Sequence, residues 1–206
     1  MPSFANSTST LNERIQGIRL LALDVDGVLT NGAISYAASL AVHDVSPNDH
    51  ENDAFLGELK SFNVQDGLGI RLLQQYGVEV AIITGRRSPM VEQRARELGI
   101  TRLYQGRNDK LAALNELAEA CSLSLMQIGY CGDDLPDLGA IQAAGLGASV
   151  ANAPDYIRVH ADLVTEKQGG EGAVRELADL ILQAQGHWSS VLAQFITQAK
   201  PNCAAG

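Results

Sequence analysis

Four apolar residues, Leu20-Leu21-Ala22-Leu23, run without interruption into Asp24-Val25-Asp26-Gly27. A strand with no polar residue on either face must be covered on both, the condition of a parallel sheet held between two layers of helices. In such sheets ligands bind beyond the carboxyl ends of the strands. Here that end carries two carboxylates, and Gly27 frees the chain to turn tightly after them. Anions held this close repel each other unless a cation neutralises them, and an all-oxygen ligand set suits Mg²⁺. Taken alone, the stretch reads equally well as a turn with two solvated aspartates.

The pattern recurs. Residues 78–83 are a second apolar run, ending at Thr84-Gly85-Arg86. Leu103-Tyr104 is a short third, and residues 126–131 are a fourth, ending at Gly132-Asp133-Asp134. Residues 146–150 and 163–165 are further candidate strands. Helical patterns lie between them. Thr10-Leu11-Asn12-Glu13 fits a capping box. Asp66-Gly67 opens a helix with Ile70, Leu72, Leu73 and Tyr76 inward and Gly77 at its stop, where Asp66 serves as a cap or as a contact. Ser88-Pro89 is an N-cap with proline in the first turn, and that helix ends at Leu98-Gly99. Asp109 caps a helix from Lys110 to about Ala120, with Leu111, Leu114 and Leu117 inward, and another helix follows Pro136. Residues 173–185 are amphipathic through Val174, Leu177, Ile181 and Leu182. The last helix carries Trp188, Val191, Leu192, Phe195 and Ile196 on one face, to be buried against its own domain or a neighbour.

This alternation predicts an α/β fold, a doubly wound, Rossmann-like parallel sheet with helices on both faces. With 206 residues, 46% of them hydrophobic, the chain suits one domain over residues 1–206. Residues 1–10 read as a disordered tail. Residues 31–62 read as a β-hairpin flap, with Ile34-Ser35-Tyr36 and Leu59-Lys60-Ser61-Phe62 as its arms. Between the arms, an acidic insert carries His43 and His50 among carboxylates; a solvated loop is favoured there over a metal site.

A net charge of −9 argues against nucleic acid and anionic membranes as partners. An anionic small molecule remains compatible where basic residues converge locally, because salt screens distant charges. The three cysteines, Cys121, Cys131 and Cys203, lack metal-ligand spacing and fit free thiols in a reducing compartment, Cys131 as a buried strand-end thiol. No apolar run reaches membrane-spanning length and the first residues hold no signal core, so a soluble cytoplasmic protein is expected. His160 and His187 show no partners at this level.

Asp24, Asp26, Thr84, Asp133 and Asp134 all follow apolar strands directly, and Lys110 opens a helix. One rim of the sheet then gathers carboxylates, a hydroxyl and an ammonium. Such a set can transfer a phosphoryl group, which needs positioning and charge neutralisation above all. Asp24 is placed to attack phosphorus as a carboxylate nucleophile. Asp24 and Asp133 would share Mg²⁺ with a phosphate oxygen. Thr84, the Gly85 amide and Lys110 would hold the remaining oxygens. Asp26 would protonate the leaving alcohol and then activate water.

In this order, Asp24-Val25-Asp26-Gly27-Val28-Leu29-Thr30, Thr84-Gly85-Arg86, Lys110 and Gly132-Asp133-Asp134 resemble the four motifs of the haloacid-dehalogenase phosphatase superfamily, over most of the chain. A narrower likeness rests on Phe62-Asn63-Val64-Gln65-Asp66-Gly67-Leu68-Gly69-Ile70-Arg71, Tyr104-Gln105-Gly106 and Gly169-Gly170-Glu171-Gly172-Ala173-Val174-Arg175-Glu176. These are similar to the 3-deoxy-D-manno-octulosonate 8-phosphate phosphatase subfamily. That resemblance implies a phosphatase of sugar-acid phosphates without a cap domain, a cytoplasmic homotetramer in which flap and C-terminal tail help close neighbouring sites, serving lipopolysaccharide biosynthesis. It implies Mg²⁺ at Asp24, Asp26 and Asp133. It implies substrate contacts at Asp26, Asn63, Val64, Gln65, Asp66, Gly67, Arg71, Gly85, Arg86, Arg94 and Lys110. Spacing agrees with the capless form, since one helix and one short strand fill the stretch from Arg86 to Lys110. The chain departs from the subfamily at Gln65, where arginine is expected, at Glu171, where a basic residue is expected, and in a longer flap insert near residues 38–53. Two other readings stay open. A nonulosonate 9-phosphate phosphatase shares the architecture, and phospho-accepting signalling domains also gather aspartates, a threonine and a lysine.

Overall fold

The computed structural model describes residues 10–38 and 56–198. Its helices and strands are α1 (Leu11–Gln16), β1 (Leu20–Leu23), β2 (Ser35–Ala38), β3 (Leu56–Leu59), α2 (Val64–Gln75), β4 (Glu79–Thr84), α3 (Pro89–Glu97) and β5 (Arg102–Gln105). They continue as α4 (Lys110–Cys121), β6 (Ile128–Gly132), α5 (Leu138–Ala143), β7 (Leu146–Ser149), α6 (Asp155–Arg158), β8 (Leu163–Val164), α7 (Ala173–Ala184) and α8 (Trp188–Gln198). Three-ten turns occupy Leu125–Gln127 and Leu135–Asp137.

The apolar run of β1 lies at the centre, fully buried, with β4 on one side and β6 on the other. The sheet has six parallel strands in the order β5-β4-β1-β6-β7-β8. One helical layer packs α1 and α2 on α7; the other packs α4 on α5. From β1 the chain winds outward through β4 to β5, then crosses back to β6 and winds the other way. The carboxyl ends of β1 and β6 therefore flank the topological switch point, where connections leave to opposite faces and a crevice opens. Asp24 and Asp133 follow these two strands.

Local chemistry accounts for most element ends. Thr10 accepts from the Glu13 amide at 3.3 Å while Glu13 accepts from the Thr10 amide at 2.7 Å, the expected capping box. Gly77 and Gly99 close α2 and α3 with φ of 86° and 70°.

Several expectations shift. The second hairpin arm is β3, three residues earlier than read, with Ser35 opposite Leu59; Lys60, Ser61 and Phe62 lie beyond the ladder, and the Lys60 side chain is buried. Asn63, not Asp66, caps α2, accepting from the Gln65 amide at 2.7 Å. Residues 126–127 belong to the three-ten turn before β6, and α6 forms where no helix was read. Of the stripe on α8, Val191 is buried while Leu192, Phe195 and Ile196 are exposed. His160 Nδ1 lies 3.3 Å from Gln142 Nε2, and the His187 ring lies 4.9 Å from that of Tyr76, so both have partners. Cys131 is buried and Cys121 half-buried, both as free thiols. The tail at residues 1–9, most of the acidic insert with His43 and His50, and Cys203 lie outside the described residues. Among those described, no helix is long and apolar enough to cross a membrane.

Candidate active site

Strand β1 delivers Asp24 to the switch point, its amide bonded to the Cys131 carbonyl at 3.0 Å as the last rung beside β6. Asp109 caps α4, and the next residue, Lys110, turns into the crevice. Its ammonium donates to Asp24 Oδ1 at 2.6 Å, to the Ile83 carbonyl at 2.9 Å and to Asp137 Oδ1 at 3.2 Å. Three protons meet three acceptors, so the group is satisfied although its side chain is only 3% exposed. Burial pulls the Lys110 pKa down, but the Asp24 and Asp137 carboxylates outweigh it and hold it above its usual value. The ammonium stays charged. Asp24 is pushed up to about 6 by burial and by repulsion from Asp137, against the attraction of Lys110.

Asp137 closes this cluster from the three-ten turn after β6. Its Oδ1 accepts the Tyr130 hydroxyl at 2.6 Å as well as Lys110; its Oδ2 accepts the Asp133 and Asp134 amides at 3.1 and 3.2 Å. All four lone pairs are engaged. The turn fits only because residue 132 is glycine: a Cβ there would lie 2.4 Å from Asp137 Cβ.

Carboxylate oxygens of Asp24, Asp133 and Asp137 lie within 4.8 Å of one another. Burial, then Asp24 and Asp137, push Asp133 up to about 7. Its Oδ1 is buried without a hydrogen-bond partner. A half-satisfied carboxylate among like charges, with oxygen donors only, fits a hard divalent cation such as Mg²⁺. Since Asp137 is saturated, Asp24 and Asp133 are the carboxylates free to hold it. Gly27 makes room: with φ of 96°, its Cβ would stand 2.0 Å from Asp133 Oδ2.

The carboxylate of Asp26 is not one of these three. It faces Lys60, which donates to Oδ1, and Arg86, whose Nε lies 3.8 Å from Oδ2. Thr84 ends β4 nearly buried, its Oγ1 accepting from the Arg86 amide at 3.4 Å. Asp24, Asp26, Thr84, Gly85, Arg86 and Asn108 line a cleft of about 340 Å³.

The profile of the haloacid dehalogenase-like hydrolases matches residues 99–177. The 3-deoxy-D-manno-octulosonate 8-phosphate phosphatase of Escherichia coli K12 is 44% identical over 183 residues, 89% of each chain. That of Yersinia pestis is 46% identical over 173 residues, 84% of each. The chain belongs to the 3-deoxy-D-manno-octulosonate 8-phosphate phosphatase family. The crystal structure of the Moraxella catarrhalis phosphatase, in complex with magnesium ion, phosphate ion and a KDO molecule, superposes with a TM-score of 0.81 at 43% identity, over 90% of this chain and 97% of that one.

Within a single phosphatase chain, the expected substrate contacts fall into separate groups. Asp26, Gly85, Arg86 and Lys110 line the cleft beside Asp24 and Thr84. Val64, Gly67, Arg71 and Arg94 instead surround a shallow depression on α2 and α3, and none of them lines the cleft. Arg94 lies 5.7 Å from the Phe62 ring centre and donates to the Asn63 carbonyl at 3.3 Å; Arg71 donates to the Glu97 carbonyl at 3.1 Å. Asn63 donates to the Gly170 carbonyl at 3.3 Å, and Gln65 is exposed near Gly172. Asp66 is 1% exposed and accepts from the Arg175 amide at 2.8 Å, so it serves the start of α7.

Sequence reasoning missed Asp137, Tyr130, Lys60, Glu58, Asn108 and Asn152. Asn152 donates to the Gly27 carbonyl at 3.1 Å and accepts from the Gly169 amide at 2.6 Å, stapling the glycine-rich segment to the loop after β1. The segment lies so close that a Cβ at Gly169 would meet the Gly27 carbonyl oxygen at 1.7 Å. Only Asp137 carried a readable signal, a carboxylate four positions after Asp133 behind a proline.

Proposed function

We propose that this protein is a Mg²⁺-dependent phosphomonoesterase that converts 3-deoxy-D-manno-octulosonate 8-phosphate to the free sugar acid and phosphate, a step of lipopolysaccharide biosynthesis. One observation carries the reading: Asp24, between Lys110 and Asp133, lies at the switch point in a cleft of small-molecule size. The names of its relatives supply the substrate.

Asp24 attacks phosphorus, its new O–P bond replacing the bond to the sugar oxygen. Asp26 gives that oxygen its proton and the sugar acid leaves. The Asp26 carboxylate then takes a proton from water, whose oxygen attacks phosphorus; the Asp24–phosphorus bond breaks, freeing phosphate and Asp24. Lys110, Thr84 and the Gly85 amide hold phosphate oxygens throughout. Mg²⁺ held by Asp24 and Asp133 supplies positive charge that lets a phosphate approach three carboxylates. Arg86, half-exposed at the rim, is placed for the carboxylate of the sugar acid.

We place the protein in the cytoplasm as a single-domain homotetramer, the hairpin β2–β3 acting as flap. The contacts at Val64, Arg71 and Arg94, outside the cleft of their own chain, support a site completed by a neighbouring subunit. Sedimentation of the purified protein tests this; a monomer at assay concentration refutes it.

The test of function is phosphate release from eight- and nine-carbon sugar-acid phosphates and common sugar phosphates, with Mg²⁺ and with EDTA. Metal-dependent turnover led by 3-deoxy-D-manno-octulosonate 8-phosphate is expected. Preference for a nine-carbon substrate would move the assignment to the nonulosonate phosphatases, and a stable phosphoprotein without turnover would move it to phospho-accepting domains.

A further inference from the structure

Two residues of the hairpin arm reach Asp26 and Arg86, which line the catalytic cleft. Glu58 lies in β3 and Lys60 just beyond it, two positions apart and so on one face of extended chain. The Lys60 side chain is 2% exposed, and its ammonium donates to Asp26 Oδ1. Lys60 Nζ also lies 3.5 Å from Glu58 Oε1. Arg86 Nη2 donates to that same Glu58 oxygen at 2.7 Å, while Arg86 Nε lies 3.8 Å from Asp26 Oδ2. Once Asp26 has given up its proton, the four groups make a closed ring of alternating charge, Asp26–Lys60–Glu58–Arg86. A lysine is buried this deeply only against counter-charges. Here one of them is the residue that must face the leaving oxygen.

We infer that Lys60, braced by Glu58, is the positioning residue that fixes the Asp26 carboxylate for proton transfer to the leaving group. The inference rests on the acid–base role given to Asp26 above. The ring holds each Asp26 oxygen by a different cation, Oδ1 by Lys60 and Oδ2 by Arg86, which sets the plane of the carboxylate. Proton transfer requires such a group within hydrogen-bond reach of the leaving oxygen. Without Lys60 the carboxylate keeps only the longer contact to the half-exposed Arg86 and is free to rotate.

The test compares leaving groups. A sugar alkoxide needs a proton as it departs; p-nitrophenolate does not. Values of kcat/KM, which report the steps through phosphoryl transfer to Asp24, are measured for the sugar-acid phosphate and for p-nitrophenyl phosphate in the wild type, Lys60→Met, Lys60→Arg, Glu58→Gln and Asp26→Asn. In Lys60→Met the sugar phosphate is expected to lose at least roughly tenfold more than the aryl phosphate. Lys60→Arg should restore most of the ratio, and Glu58→Gln should skew it in the same direction by less. A purely structural role for Lys60 would lower both substrates alike and overturns the inference. Asp26→Asn separates the two levels. If it leaves the ratio unchanged, the acid–base reading itself fails; if it skews the ratio and Lys60→Met does not, only the role of Lys60 fails. Should melting curves show Lys60→Met unfolded, Glu58→Gln decides: a skewed ratio supports the inference and an unchanged one overturns it.

Discussion

Tyr130 donates its hydroxyl to Asp137 Oδ1 at 2.6 Å, and through that oxygen it is one bond from the Lys110 ammonium. The phenol is fully buried in β6, beneath the cleft. Tyr130→Phe keeps the packing and removes the donor. It should cost about 1–3 kcal/mol of stability, because the bond is to a charged group. Loosening Asp137 should also lower kcat roughly tenfold or more, with KM little changed. Thermal melts and steady-state kinetics on one preparation check both.

Asp133 gives a pH-dependent prediction. Its pKa rises from an ordinary carboxylate value to about 7 in the folded state. A raised folded pKa contributes stability that is complete below the unfolded value, near 4, and lost as pH rises through about 7. In EDTA, Asp133→Asn should therefore melt higher than the wild type at pH 8, by about 2–8 °C, and the gap should close toward pH 4. Added Mg²⁺ should raise the wild-type melting temperature, more at pH 8 than at pH 5, and leave Asp133→Asn nearly unmoved.

Asp24→Asn removes the nucleophile while keeping its shape. Turnover should fall by at least roughly a thousandfold. Acid-quenched wild-type reactions should contain hydroxylamine-labile protein-bound phosphate, and the variant none.

Asp66 binds the Arg175 amide at 2.8 Å and so caps α7 from another helix. Asp66→Ala should cost about 1–2 kcal/mol, and Asp66→Asn less, because an amide oxygen still accepts. Chemical denaturation at neutral pH measures the difference.

The sheet and the residues at its strand ends were legible because an apolar run and a polar stop are both local. Asp24, Thr84 and Asp133 each end such a run, and Asp109-Lys110 is a helix start that any reader of caps finds. What escaped depends on distance. Asp66 looked like the cap of its own helix; its partner lies 109 residues away. Lys60 looked like one more residue of a hairpin arm, because nothing nearby reveals that strand pairing stops at Leu59 and that the next side chain is buried. Tyr130 read as one more apolar strand residue, and its hydroxyl found meaning only when the turn after β6 brought Asp137 over it.

The bond between Asp24 and Lys110 joins residues 86 apart in sequence, and β6 must settle beside β1 before Asp133 joins them. A chain still emerging from the ribosome therefore holds the nucleophile long before it holds the cluster. Partly built molecules would have little grip on either ion or substrate. Metal capture would then come late in maturation and reward only the completed sheet, so that ion and substrate act together as a quality mark on finished protein.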